Sequence, residues 1–421
     1  MKFTYILLLI MLFRFADGQT ISLQECIEKS KVNYPLHKSM DLINKNTELK
    51  IQQLKTNYLP TVDLSGSVTW QNDVPHFNSP SPSFPIPKAP KDQYKVYVDV
   101  KQMIYDGGIT KASKEVEKLS GLADTKATEV DLYAIRDKII SSYYFILIVK
   151  KQIKQIDLAI EQLQKRIDEI TAAADNGVVL KSSIDVFRVE ILKLEQQKAG
   201  LQEAQNTAFD VLIELIGEPV ANNAELEIPD VVLPQEDTVI YRPEIALFDV
   251  QKQKLDAVIN LQSKTRIPKL YGFGQLGYGN PTYNVLNDEF GEYYMVGIKL
   301  NWKIYDWKKT AKEKQILARQ KQIITSKQES FVKQIKIREN EVKGRIRKYE
   351  RFVESDNKIL ELQKSITQTS LSKLKNGTIT AADYVKDLNS QLYAALALEI
   401  HKLQLSQAKV EYLNLVGKTL N

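Results

Sequence analysis

Residues 94–108 read Tyr-Lys-Val-Tyr-Val-Asp-Val-Lys-Gln-Met-Ile-Tyr-Asp-Gly-Gly, and residues 294–306 read Tyr-Met-Val-Gly-Ile-Lys-Leu-Asn-Trp-Lys-Ile-Tyr-Asp. In the first, Tyr94, Val96, Val98, Val100 and Ile104 alternate with Lys95, Tyr97, Asp99 and Lys101. In the second, Tyr294, Val296, Ile298, Leu300, Trp302 and Ile304 alternate with Gly297, Lys299, Asn301 and Lys303. A period of two means a strand with one apolar and one polar face. A second strand is expected upstream in each half. Val62, Leu64, Val68 and Trp70 alternate with Thr61, Asp63, Ser65, Ser67 and Thr69, whereas 269–279 is glycine-rich and alternates more weakly.

Downstream of Tyr105-Asp106 the period changes from two to seven. Leu132, Ile139, Ile146, Ile153, Ile160, Ile167 and Ala174 form one row, and Ile135, Ser142, Val149, Ile156, Leu163 and Ile170 form another. That is a coiled-coil seam, and it predicts one helix over 109–175, roughly 100 Å long at 1.5 Å per residue. Asn176-Gly177 ends it, because glycine readily takes the left-handed conformation that closes a helix. Phe187, Leu194, Leu201 and Ala208 keep the same step on a returning helix. The second half predicts a helix over 309–375, with Asn376-Gly377 as its turn.

These landmarks recur in order. Tyr34-Pro35 and Arg242-Pro243 open helical stretches that stop at Pro60 and Pro268, both offset by 208 residues. Tyr105-Asp106, Asn176-Gly177 and Leu215-Ile216-Gly217 return 200 residues later as Tyr305-Asp306, Asn376-Gly377 and Leu415-Val416-Gly417. The chain therefore reads as an internal tandem repeat. The first repeat is 19–217, with strands at about 61–71 and 94–105. A proline-bearing connector covers 218–241. The second repeat is 242–421, with strands at about 269–279 and 293–305. Ser22 with Glu25 three residues on forms a capping box for the first helix. Residues 72–93, with six prolines, read as an irregular surface loop.

Residues 1–18 read as a signal peptide. Lys2 is followed by the apolar run Ile6–Phe13, too short for a mature span, and Ala16-Asp17-Gly18 supplies small residues for cleavage before Gln19. An uncleaved anchor is the competing reading. The one cysteine, Cys26, permits no internal disulfide, and Leu23-Gln24-Glu25 ahead of it is no lipid-attachment motif. It reads as a small buried apolar residue. No later segment holds 18 uninterrupted apolar residues, so a membrane-bound chain of this kind needs a closed β-barrel. Alternation alone equally fits an ordinary sheet with one wet face. The export signal, the hairpins set between very long helices and the lack of another sheet to pack on favour the barrel. Four strands are too few to close one, so several copies are needed. Trp70, Tyr94, Tyr294 and Trp302 suit an interfacial belt facing outer-membrane lipid.

No enzyme site emerges. His37, His76 and His401 lack zinc spacing. Gly272, Gly274, Gly277 and Gly279 lie in a strand, so they are no nucleotide loop. No cofactor is expected. Of 421 residues 26% are charged, with a net charge of +6, and the signs alternate along helices, which gives no nucleic-acid footprint.

Taken together, the duplicated plan, Tyr105-Asp106-Gly107-Gly108, the turn glycine with a spaced acidic residue, and the terminal Leu-x-Gly of each half resemble the outer-membrane efflux protein family, the TolC-like channels. The resemblance covers nearly the whole mature chain. It implies a mixed α/β fold in which a homotrimer builds a twelve-stranded outer-membrane barrel on an α-helical periplasmic barrel. It implies a passive duct working with a periplasmic adaptor (membrane fusion) protein and an inner-membrane efflux or secretion transporter. Pro60 and Pro268 would be helix-to-strand hinges. Acidic residues near the helix turns line the family's periplasmic gate, and Asp383, six residues after Gly377, matches. Asp185 lies eight after Gly177, a longer spacing. The basic residue that some members use as a latch after the second turn glycine is replaced by Thr378, Ile379 and Thr380. Ser182-x-x-Asp185 and Thr380-x-x-Asp383 also fit helix capping. A non-conducting trimeric coiled coil, structural or adhesive, is the alternative function.

Overall fold

The computed structural model describes residues 20–75, 88–175, 181–221, 224–234 and 239–419, with side chains described only to 171 in the second of these. The expected signal peptide, Asn176-Gly177 and much of the proline-rich loop lie outside the described residues. The described chain is a mixed α/β fold of very long helices and a small antiparallel sheet. Its helices are α1 (Leu23–Asn33), α2 (Leu36–Lys55), α3 (Ile109–Asp175), α4 (Lys181–Ile216), α5 (Pro243–Lys264), α6 (Lys309–Lys375) and α7 (Ala381–Val416). Its strands are β1 (Thr20–Ile21), β2 (Thr61–Trp70), β3 (Asp92–Tyr105), β4 (Glu225–Leu226), β5 (Lys269–Asn280) and β6 (Gly291–Asn301). Helices α3 and α6 have 67 residues each, and α4 and α7 have 36 each. Among the described residues no helix is long and apolar enough to cross a membrane.

The contacts divide into two units, one of 41–126 and 247–328, the other of the flanking stretches. The first holds the four-stranded sheet, ordered β2-β3-β5-β6 with every neighbouring pair antiparallel. Strand β6 ends at Asn301, short of the Ile304 that the alternation included. Lys269 pairs with Asn301, and Pro268 beyond it has no N–H to extend the ladder.

The second unit is helical. Ile139, Ile146, Val149, Ile156, Leu163 and Ile167 of the heptad rows are buried, as are Phe187, Leu194 and Ala208 opposite. Around Ile140–Leu147 burial spreads beyond the seam to Tyr143 and Tyr144. The connector accounts for this. Strand β4 within it pairs in parallel with β1, and the hydroxyl of Tyr143 lies between the carbonyls of Ile21 (2.7 Å) and Glu227 (2.6 Å), donating to one at a time. The Tyr144 hydroxyl meets Ser406 Oγ at 2.7 Å, and Ser406 donates to the Pro229 carbonyl at 3.0 Å. Cys26 is fully buried in the same core, and burial pushes its thiol up to about 12. At the N-terminus of α1 only half of the expected capping box forms. Ser22 accepts the Glu25 N–H at 3.1 Å, but the Glu25 carboxylate turns to Lys29 at 3.1 Å.

Candidate functional site

The pairing register puts the paired Val, Leu and Ile residues of all four strands on one face. Leu64, Val98, Leu276 and Tyr294 are successive cross-strand partners, and so are Val62, Val100, Gly274 and Val296. This face is uncovered: Leu64 is 75% exposed, Ile298 71% and Val296 81%. The opposite face carries Asp63, Asp99, Gln275 and Met295 in one row, Ser65, Tyr97, Gly277 and Tyr293 in the next outward, and Thr61, Lys101, Phe273 and Gly297 in the next inward. The outer edges of β2 and β6 have no strand partner among the described residues. An apolar sheet face of this extent marks an interaction surface, and an open strand edge is a template for further pairing.

The prolines sit where helix becomes strand. Helix α2 tightens into a 3₁₀ turn at Thr56–Tyr58, Pro60 follows, and β2 starts at Thr61. Helix α5 ends at Lys264, and Pro268 immediately precedes β5. The return from strand to helix is built on aspartates. Asp106, 2% exposed, accepts the N–H of Gly108 at 2.7 Å, the N–H of Thr110 at 2.5 Å and the hydroxyl of Tyr58 at 2.7 Å. Burial alone would raise its pKa, but the bonds from Thr110, Tyr58 and Gly108 outweigh burial and hold it at about 2. Asp306 repeats the arrangement with Thr310, whose hydroxyl and N–H lower its pKa. Gly107 and Gly108 have φ of +72° and +84°. A Cβ on Gly107 would stand 2.7 Å from Ile267 Cβ, so the glycine lets the first junction close on the residue before the second hinge. In the second half Trp307 and Lys308 hold φ of 54° and 61° without glycine. Trp307 is 81% exposed and packs edge-on to Tyr305.

The turn candidates behave unequally. Gly377 has φ +68°, and the N–H groups of Gly377 and Thr378 bond to the carbonyls of Leu374 (3.0 Å) and Lys373 (2.9 Å), closing the end of α6. Asp383 and Thr380 form a full capping box: Asp383 N–H donates to Thr380 Oγ1 at 3.2 Å, and Thr380 N–H donates to the Asp383 carboxylate at 3.0 Å. The Thr380 hydroxyl and N–H together hold Asp383 below the usual carboxylate range. Asp185 is an exposed residue of α4, paired with Arg188 at 3.5 Å. Helix α4 already runs from Lys181, so Ser182 lies inside its first turn. No bond joins Asp185 to Asp383; each is satisfied locally. What the structure places beside them is a core of Ile167, Ile184, Phe187, Tyr384, Val385 and Leu388. In it Phe187 meets Tyr384 edge-on at 6.2 Å. Lys375, two residues before Gly377, reaches Glu169 at 3.5 Å.

Among the described residues no group of three His, Cys, Asp or Glu could hold a metal ion. No family model matches the sequence, and no curated protein matches it. Solved structures do match in fold. The chain is similar to CusC, a transmembrane channel, at 13% identity and a TM-score of 0.69, with 96% of this chain and 93% of that one covered. It is similar to the outer membrane protein VceC of Vibrio cholerae at 14% identity and 0.66, covering 95% and 97%. It is also similar to the outer-membrane channel OprN at 15% identity and 0.67, covering 94% and 90%. The chain thus has the fold of the TolC-like outer-membrane channels, along nearly its whole length.

Proposed function

We propose that this protein is a passive outer-membrane exit duct, exported with loss of residues 1–18 and assembled as a homotrimer. The observation that carries the reading is a four-stranded sheet with one exposed apolar face, one polar face and two open edges. In an all-antiparallel sheet of four strands ordered β2-β3-β5-β6, β2 and β6 run in opposite directions. The β6 edge of one copy therefore meets the β2 edge of the next in antiparallel register, and the ring closes with an even strand number, as outer-membrane barrels require. Three copies give twelve strands, with apolar side chains toward lipid and Asp63, Asp99 and Gln275 toward the lumen. Closure also removes both exposed edges. The long helices extend the conduit through the periplasm, where an adaptor and an inner-membrane efflux or secretion transporter deliver cargo and energy. The chain itself performs no catalysis and takes no cofactor.

The test is purification in detergent followed by reconstitution in a planar bilayer. Light scattering with detergent correction should give three chains per particle, and the reconstituted protein should conduct ions in discrete steps. A stable monomer overturns the barrel, and a trimer that never conducts supports the structural coiled coil instead.

A further inference from the structure

The loop between β5 and β6 returns over the polar face of the sheet. Thr282 Cγ2 would be 3.0 Å from a Cβ on Gly291. The Tyr283 hydroxyl donates to Gln275 Oε1 at 2.9 Å, and its ring meets Tyr293 edge-on at 5.0 Å. Tyr293 in turn lies across Gly277: a Cβ there would stand 2.5 Å from Tyr293 Cζ and 2.8 Å from Tyr97 Cβ. Gly297 makes the same room for Phe273, at 2.6 Å from Phe273 Cζ. Tyr293 is only 7% exposed on a sheet whose other face is open. Glycines thus let aromatic rings lie flat on the polar face, and the loop adds one more ring on top.

We infer that Tyr283, packed on Tyr293 above Gly277, forms a constriction at the outer mouth of the pore and sets the size of solute that passes. This rests on the channel reading, in which the polar face lines the lumen. A trimer presents three such aromatic clusters around one axis, each held by a ring contact and a hydrogen bond rather than by the strand ladder alone. The exit is therefore narrowed by side chains of fixed position.

Thr61 lies on the same polar face, four residues along β2 from Ser65 of the tyrosine row, about 13 Å further in at 3.3 Å per residue. A Thr61→Cys protein on intact cells is treated from outside with maleimides carrying polyethylene glycol of increasing size. The native Cys26 is buried and its thiol pushed up, so it stays silent. Small maleimides should label the introduced thiol and large ones should not. Adding Tyr283→Ala should raise the size limit, while Val285→Ala, an exposed change in the same loop, should leave it alone. An unchanged limit with Tyr283→Ala, or an equal rise with Val285→Ala, overturns the inference. Failure of the channel reading looks different: the purified Thr61→Cys protein would then be monomeric, or the wild type non-conducting.

Discussion

The hydroxyl of Tyr58 donates to the carboxylate of Asp106 across 2.7 Å, joining the turn that leads into β2 to the residue that follows β3. One side chain therefore ties together both ends of a hairpin that sits between two helices, while it also caps α3 through Thr110. Its folded pKa of about 2 lies below the ordinary 3.8, so the folded state favours the ionised form. The resulting stability is fully present above about pH 4 and is lost as the pH falls through about 2. With screening at the rim of the sheet allowed for, it amounts to about 1–2 kcal/mol per chain. Thermal melting of the detergent-held protein at pH 6 should show Asp106→Asn melting below the wild type. The gap should shrink toward pH 2, and a gap independent of pH would remove the charge from the account.

Glycines 377 and 417 share a left-handed backbone but not a neighbourhood. Gly377, φ +68°, has nothing within 4 Å of a Cβ, whereas at Gly417, φ +83°, a Cβ would stand 2.5 Å from the carbonyl carbon of Tyr241 and 2.8 Å from Arg242 N. The left-handed conformation alone costs an ordinary residue about 1–2 kcal/mol. Gly377→Ala should lose about that much. Gly417→Ala should lose more, because a rigid backbone collision is added to the strain. Equal melting temperatures for the two variants would mean that the approach of Tyr241 to Gly417 is not maintained in solution.

Val98 and Asp99 test the orientation of the sheet. Arginine facing lipid at the bilayer midplane costs about 2–4 kcal/mol per site in outer-membrane barrels, and a trimer carries three copies. Val98→Arg and Ile298→Arg should therefore prevent assembly, seen as loss of the trimer from outer-membrane fractions. Asp99→Asn and Lys299→Gln should assemble and change conductance instead. Normal assembly of Val98→Arg together with failure of Asp99→Asn would reverse the two faces.

The first-half helices and three of the four strands were legible because periods of seven and two survive in a single sequence, and the second-half helices because the landmarks of the first half recur. Tyr143 and Tyr144 were not, because they face a connector whose docking depends on the carbonyls of Ile21, Glu227 and, through Ser406, Pro229. No periodicity encodes a carbonyl. The weak alternation of β5 has a similar cause. Gly277 stands where a cross-strand ring needs room, and that is visible only once Tyr97 and Tyr293 are its register neighbours. The Asp106 junction left a local trace, an aspartate before two glycines and a helix. Its tyrosine partner lies 48 residues earlier and left none.

The starts of α4 and α7 carry the last prediction, because capping and charge are separable there. Asp383 caps α7 through Thr380, yet its carboxylate is exposed and held below the usual range, so it stays ionised at neutral pH. Capping therefore does not consume its charge. Asp185 is also exposed, but Arg188 stands 3.5 Å away and partly neutralises it. If both face the lumen of a trimer, three copies of each concentrate negative potential in a narrow tube, where screening by salt is weak and cations gather. The channel should then be cation-selective, and trivalent cations should block it from the periplasmic side. Asp383→Asn should weaken selectivity and block more than Asp185→Asn does, because among the described residues Asp383 forms no ion pair and feels Lys386 only at longer range, whereas Asp185 pairs with Arg188. Arg188→Gln should strengthen both by releasing Asp185. Asparagine is the informative replacement, since it can still accept the Thr380 N–H bond while carrying no charge. Reversal potentials in a salt gradient give the selectivity directly. A double asparagine channel with wild-type selectivity and wild-type block would reduce both aspartates to local structural roles. The constriction would then have to be sought along the core where Phe187 meets Tyr384.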